Sequence, residues 1–437
     1  MSPLLLALSA FPAPAADLPA PEAGVASRNP LVESRSESDH LLGDWAGGAR
    51  SRLAGRGVHL QAGYIGEVIG NVAGGLKRGA IYEGLGQIAL ELDLARLSGG
   101  RLGLDFRVSG IYPHGARPSG KLIGDLQTAS NIDAYDSPAL YELWLEHRAW
   151  ADRISLRAGR LLADVEFAVT EYGGVLANSS FGWPAFISGN TLNSGPAYFR
   201  TALGARLRVQ LREGFYAQAG VYDGDIYDSP LGRPGAHPGG LSFRLNADQG
   251  ALVLAESGWS WNHSAAARGL PGSFKAGGWL HTADFANPFN PARTHTPNYG
   301  AYFAVEQAVW RENHGANGAQ QGLGVFLRAG ASPPDRNLFT FALDGGLHYR
   351  GLIPGRDVDV AAVGVAVVKL SNELRRAERA AGAAVVSDYE LALEATYDLQ
   401  LAPWWSLQPD FQWIHHPGGS RALNDAFVVG LRTRITF

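Results

Sequence analysis

The chain contains no cysteine. That removes disulfides, thiolate metal sites and cysteine nucleophiles together, and it fits an exported protein that folds without an oxidative step. Long hydrophobic runs are missing too: no later stretch approaches the ~18 uninterrupted apolar residues of a membrane helix. Such a chain can span a membrane only as a closed barrel, the other structure that satisfies every backbone group in lipid. Charge is sparse, at 18% of residues with a formal net charge of −4. No basic stripe stands out, so nothing points to nucleic acid as a partner. Catalytic signatures are also lacking. No nucleophile-elbow pattern surrounds a serine, and no His-Glu-x-x-His run occurs. His415 and His416 are adjacent, so on a strand they point to opposite faces and cannot share a metal. Neither a cofactor nor a metal is expected.

What is present is glycine, 56 residues of it, and abundant Trp, Tyr and Phe. A chain of 437 residues would on length alone make two or three soluble domains. The patterning argues otherwise, because period-two alternation dominates. Leu391, Leu393, Ala395 and Tyr397 fall on one face, and Glu390, Glu394, Thr396 and Asp398 on the other. Trp405, Leu407, Phe411 and Trp413 oppose Ser406, Gln408, Asp410 and Gln412, and Phe427, Val429 and Leu431 oppose Arg432 and Arg434. A strand places successive side chains on opposite faces, so each segment has one apolar and one wet side. Aromatics at segment ends, such as Trp404-Trp405 and Trp413, and charges deep within the polar faces favour a lipid-facing barrel over a soluble sandwich.

About sixteen such segments can be counted, an all-β transmembrane antiparallel barrel. They start near Val58, Gly79, Arg101, Pro138, Arg153, Tyr198, Phe215, Ala251, Ser273, Tyr299, Gln321, Phe339, Asp357, Asp388, Trp404 and Ala426. Connections after even segments are short, as at Ala151-Asp152, Arg212 to Gly214 and Ala402-Pro403; the stretch from Asn262 to Gly272 is an exception. Those after odd segments are mostly longer, as from Pro113 to Ser137, Leu162 to Ala197 and Gly224 to Gly250. Short periplasmic turns and long outer loops are the outer-membrane pattern. An even strand number places both termini in the periplasm.

The N-terminal end reads as an export signal over residues 1–16, with an apolar core from Leu4 to Ala10 and a small-x-small site at Ala13-Pro14-Ala15. Residues 17–40, rich in Pro, Ala, Ser and Glu, read as a flexible linker. Residues 41–57 predict a short periplasmic helix, capped by Asp44 and ended by Gly55 and Gly57. The barrel then occupies residues 58–437.

Parity selects the lumen. Inward candidates are Glu67, Glu83, Asp105, Arg107, Glu142, Trp144, Glu146, Arg148, Arg157, Arg206, Arg208, Glu306, Arg328, Glu390, Glu394 and Arg432. The residues singled out for pore lining and sugar contact are Glu83, Asp105, Arg107, Glu142, Trp144, Glu146, Arg157, Arg328 and Glu394. Arg offers donors and carboxylates accept, so a mixed wall can replace water around the hydroxyls of a polyol, whereas a pore for anions would show one sign. Trp144 shares a face with Glu142 and Glu146; it either stacks sugar on its indole or packs under an infolded loop. The connection from Leu162 to Ala197 holds Asp164, Glu166, Glu171 and Trp183 among many apolar residues. A fully solvated loop is rarely so apolar, so it is expected to fold inward and narrow the lumen, with Asp164, Glu166 and Trp183 as constriction candidates. The glycine pairs Gly277-Gly278 and Gly345-Gly346 mark close contact, either between barrels or with inward loops.

Several motifs together resemble the carbohydrate-selective porins of the OprB type. They are Leu42-Gly43-Asp44-Trp45; Gly75-Leu76-Lys77-Arg78-Gly79 with Tyr82-Glu83-Gly84; Gly124-Asp125-Leu126-Gln127-Thr128 with Ser130-Asn131; Tyr141-Glu142-Leu143-Trp144-Leu145; Phe181-Gly182-Trp183-Pro184; Gly351-Leu352-Ile353-Pro354-Gly355-Arg356; and Gln408-Pro409-Asp410-Phe411-Gln412. The resemblance implies a sixteen-stranded barrel in a Gram-negative outer membrane. It also implies passive uptake of glucose and other small sugars, and a constriction built from inward loops and a lumen of Arg and Glu. Phe437 looks like the terminal aromatic that such barrels present to their assembly machinery. The expected partners are small sugars, outer-membrane lipids and lipopolysaccharide, with the barrel either a monomer or a homo-trimer. A porin of other selectivity is the alternative reading, and an outer-membrane enzyme is a more distant one.

Overall fold

The computed structural model describes residues 40–227, 239–263, 267, 269–287, 290, 292–312 and 321–437. The leader (1–16), and the linker (17–40) up to its last residue, lie outside the described residues. The strands are β1 Val58–Ala73, β2 Gly79–Asp93, β3 Leu104–Gly115, β4 Ala139–Ala149, β5 Ile154–Leu161, β6 Ala202–Arg212, β7 Phe215–Asp223, β8 Ala251–Trp261, β9 Gly272–His281, β10 Phe285–Ala286, β11 Thr294–His295, β12 Asn298–Arg311, β13 Gly322–Ala331, β14 Phe339–Arg350, β15 Val360–Leu370, β16 Tyr389–Ala402, β17 Trp405–His415 and β18 Ala426–Thr436. Among the described residues, sixteen of these form one closed antiparallel barrel, while β10 and β11 pair as a small hairpin between β9 and β12. The barrel closes where β1 meets β18, with Gly63 opposite Thr436 and Gly70 opposite Val429.

The two faces of the wall are inverted relative to a soluble protein. Ile88 is 67% exposed while its neighbour Gln87 is 4% exposed. Val68, Leu145, Leu156, Leu207 and Leu347 are likewise exposed, and Glu67, Arg107, Glu146, Arg206 and Arg328 are buried. Apolar side chains facing out and polar ones facing in suit hydrocarbon outside and a wet or loop-filled interior. Trp150, Trp259, Trp310 and Trp405 stand exposed near the ends of the strands that share a side with the chain termini. There they occupy the place of an interfacial girdle.

Strand starts differ from the alternation reading by a few residues, most at Tyr198, Arg101 and Asp357. Tyr198 belongs to the loop instead: its N–H donates to Asp164 Oδ2 (2.7 Å) and its hydroxyl to the carbonyl of Ile132 (2.9 Å). The asymmetry of the connections also has an outer exception, since only residues 74–78 link β1 to β2. Helix α1 (Trp45–Gly55) precedes β1. Asp44 does not cap its first turn; positive φ at Gly47 and Gly48 folds the chain so that Asp44 takes the Ser51 N–H and hydroxyl, each at 2.7 Å. Arg50 ties the helix to the terminal seam through the carbonyls of Phe437 (2.9 Å) and Leu60 (3.0 Å).

The expectation for the adjacent histidines is overturned. Their rings stack at 3.8 Å, because His416 leaves the strand with φ of 56°, and a left-handed residue no longer alternates. Stacked rings do not converge their nitrogens on one point.

Candidate functional site in the lumen

The connection between β5 and β6 enters the barrel and carries only short helical turns, at Tyr172–Val175, Ser179–Phe181, Ala185–Ser188 and Leu192–Ser194. Its backbone polar groups therefore need partners, and the wall supplies them. Ala168 N–H donates to Glu256 (2.8 Å), Tyr172 N–H to Glu306 (2.7 Å), and the N–H groups of Ala177 and Asn178 to Glu394 (2.5 and 2.9 Å). The connection between β3 and β4 does the same, with Leu126 and Gln127 N–H on Glu390. Arg328 works in the opposite sense. It donates to the carbonyls of Ala168, Gly182 and Ser180 at 2.5 to 2.8 Å and is held by Asp344 at 2.9 Å.

Wall glycines make room for the loop's rings. A Cβ at Gly330 would lie 2.5 Å from Phe186, one at Gly324 2.5 Å from Tyr172, and one at Gly364 2.6 Å from Phe181. Gly277 and Gly346 likewise sit under the inward rings of Tyr302 and Phe326, so these members of the two glycine pairs serve inward packing. Phe167, Phe186, Ile187, Tyr222, Leu252, Trp279 and Phe339 bury one another in a core inside the lumen. The loop thus fills part of the pore with a hydrophobic plug, and solute must pass beside it.

The charged wall of β3 to β6 is tightly paired. Arg107 bonds Glu142 at 2.8 Å and also Glu91. Arg157 bonds Glu146 (3.1 Å) and Glu166 (2.6 Å); Arg206 joins the same two carboxylates. Arg148 reaches Asp105 at 3.3 Å, and both stay partly exposed. Arg208 lies 3.8 Å over the ring of Tyr216. Glu83 is buried opposite Glu67, which pairs with Arg432 and accepts from Ser130.

Trp144 is only 8% exposed. Its Nε1 donates to Glu142 (3.1 Å), Arg157 covers its ring at 4.1 Å, and it belongs to the same core as Phe167 of the loop. Of the two readings, packing beneath the loop describes it. Arg328 and Glu394, both 0% exposed, are loop anchors rather than water-facing groups. Parity located both correctly on the inner face, but it could not reveal that a loop would cover them.

The open space is a cavity of about 1320 Å³ that runs along the loop. Its lining includes Arg117, Asn131, Asp133, Asp164, Trp183 and Tyr198, and also Arg350, Asp398, Gln400 and Arg434. Among the twelve residues singled out from the sequence, Asp164 and Trp183 line this cavity. Trp183 fixes its ring by donating Nε1 to the Ser194 carbonyl at 2.8 Å. Burial pushes the Asp164 carboxyl up to about 7. Two cavity-lining ion pairs were not singled out: Arg117 with Asp133 (2.6 Å) and Arg434 with Asp398 (2.9 Å). Arg434 and Asp398 share the polar faces of their strands, so parity marks them; Arg117 and Asp133 lie in a loop, where alternation carries no signal.

A closed barrel, apolar outside and polar within, narrowed by an inward loop that leaves a polar passage, is an outer-membrane diffusion pore. Residues 77–437 match the family described as carbohydrate-selective porin, OprB family, and the chain belongs to that family. It is a carbohydrate porin of the Gram-negative outer membrane. Similar curated proteins are Porin B of Pseudomonas aeruginosa, 21% identical over 92% of each chain, and the putative porin QuiX of Acinetobacter baylyi, 22% identical over 91% of this chain and 93% of that one. The solved high-pH structure of Pseudomonas putida OprB matches with a TM-score of 0.80 at 21% identity, covering 92% of this chain and 99% of that one. The sixteen-stranded fold expected from the resemblance is the fold found.

Proposed function

We propose that this porin passes glucose-sized sugars, and that selection occurs where Trp183, Asp164 and the Arg117–Asp133 pair line the passage. The observation that carries this reading is the Trp183 indole, fixed by Ser194 and set in a cavity wall bearing both charges. A sugar can lay its C–H face on the indole while carboxylate and guanidinium groups replace the water on its hydroxyls. The Arg434–Asp398 pair and Gln400 then offer a second set of donors and acceptors. The ion network of Arg107, Glu142, Glu146, Arg157, Arg206 and Glu166 supports the wall. Its members spend their hydrogen bonds on one another, so they hold the passage in shape and bias its potential. Liposome swelling tests the reading. Glucose should enter faster than a zwitterionic amino acid of similar size and zero net charge, and equal rates would make this a general porin.

A further inference from the structure

The outer face of β1 to β4 carries a feature that the pore does not use. Gly86 and Gly110 both point outward, and a Cβ on either would meet nothing nearer than 4.0 and 3.6 Å. They form the floor of an apolar trough of about 650 Å³, walled by Tyr64, Ile88, Tyr112, Leu140 and Leu241 and reaching Phe437. Other barrel strands also have apolar outer faces; this one has a polar end as well. Tyr64 hydrogen-bonds to Tyr82 and, at 3.1 Å, to His114, and these rings lie close to the wall because Gly66 and Gly84 lack side chains.

A strap from the connection between β7 and β8 crosses the outside of the wall beside the trough. Leu140 N–H donates to the Gly239 carbonyl at 3.0 Å, and outward-facing Arg160 holds the Ser242 carbonyl with its guanidinium 5.4 Å from the ring of Phe243. Irregular backbone exposed to lipid is not tolerated within hydrocarbon, so the strap lies at headgroup level. From there Leu241, Phe243 and Leu245 project, 71%, 50% and 71% exposed, and Arg244 among them is exposed too.

We infer that this face binds one outer-leaflet lipid with a phosphorylated headgroup, its acyl chain in the Gly86–Gly110 trough and its phosphate on Arg244. An apolar trough edged by hydroxyls and an imidazole, with the exposed Arg244 three residues along the strap from the trough-lining Leu241, matches an anionic amphiphile.

The test uses the full-length barrel in detergent, titrated with bis-phosphorylated lipid A and with its dephosphorylated form, and read by native mass spectrometry. The wild type should retain the phosphorylated form preferentially. Filling the floor with Gly86→Leu plus Gly110→Leu should weaken retention at least tenfold. Arg244→Ala should abolish the preference for phosphate while leaving the trough. Unchanged heat-modifiable migration and glucose entry would certify both variants as folded, and would leave the sugar reading untouched. Equal retention by the filled variant overturns the inference, as does equal retention of both lipid forms by the wild type. A shift from oligomer to monomer on filling the floor, with lipid retention unchanged, also overturns it and makes the trough a contact between barrels.

Discussion

Glu394 on β16 accepts the backbone N–H of Asn178 at 2.9 Å, although the two residues are 216 apart in sequence. This bond and its neighbours turn the barrel wall into a template for the loop. The loop is a largely irregular chain in a lumen, and its shape is set by wall carboxylates that accept its N–H groups and by the Arg328 guanidinium, Lys275, Gln218, Gln408 and Asn298, which donate to its carbonyls.

Removing that guanidinium should release the loop. Arg328→Met leaves Asp344 and three loop carbonyls without their partner, a loss of about 3–5 kcal/mol for a broken buried charge contact. The barrel, closed by sixteen paired strands, should persist. Single-channel conductance should rise, and the loop should become a site of proteolysis. Wild-type conductance together with a protease-resistant loop would show that the anchor is dispensable.

The two inward tryptophans should behave differently. Trp183→Ala should weaken sugar-induced block by roughly threefold to tenfold, the ~0.5–1.5 kcal/mol of a ring contact. Trp144→Phe should leave block unchanged and cost about 1 kcal/mol of stability through the lost Glu142 bond. Sugar titration on both variants checks this; loss of block in the Trp144 variant would return that residue to the solute path.

Parity in the sequence was enough to locate the barrel, its strand number and the inward placement of the charged residues, because side chains on a strand alternate whatever surrounds them. It failed where the chain leaves extended geometry. His416, at φ of 56°, stacks on His415 instead of opposing it. Trp144, Arg328 and Glu394 point inward as read, yet what covers them is a loop whose path depends on contacts far apart in sequence. The same reason hid Arg117 and Asp133, since an irregular segment has no period from which to infer a face.

Charge lining the passage should set its ion preference. Arg434→Gln removes a cation from the cavity wall and leaves Asp398 unopposed, so reversal potentials should move toward cation selectivity. Asp398→Asn should move them the other way. Identical reversal potentials for both variants and the wild type would place this pair off the conduction path.

Asp164 should make stability depend on pH. In the folded chain its carboxyl titrates at about 7, raised by burial from an ordinary value of 3.8. The unfolded chain therefore gives up this proton first. Stability is unaffected at the lowest pH, is lost progressively as pH rises from about 4 to about 7, and stays at the lower level above that. Asp164→Asn should match the wild type in melting temperature near about pH 4 and exceed it near about pH 8. A difference that does not change between those conditions would mean that burial does not perturb this carboxyl.

The most direct test of a sugar-selective passage beside the loop is single-channel current in a planar bilayer with glucose titrated in. A site on the path predicts a reduction in current that saturates with glucose concentration in the wild type and is weaker in Trp183→Ala. A reduction that never saturates, follows only the bulk conductivity of the sugar solution and is the same in both proteins would contradict it.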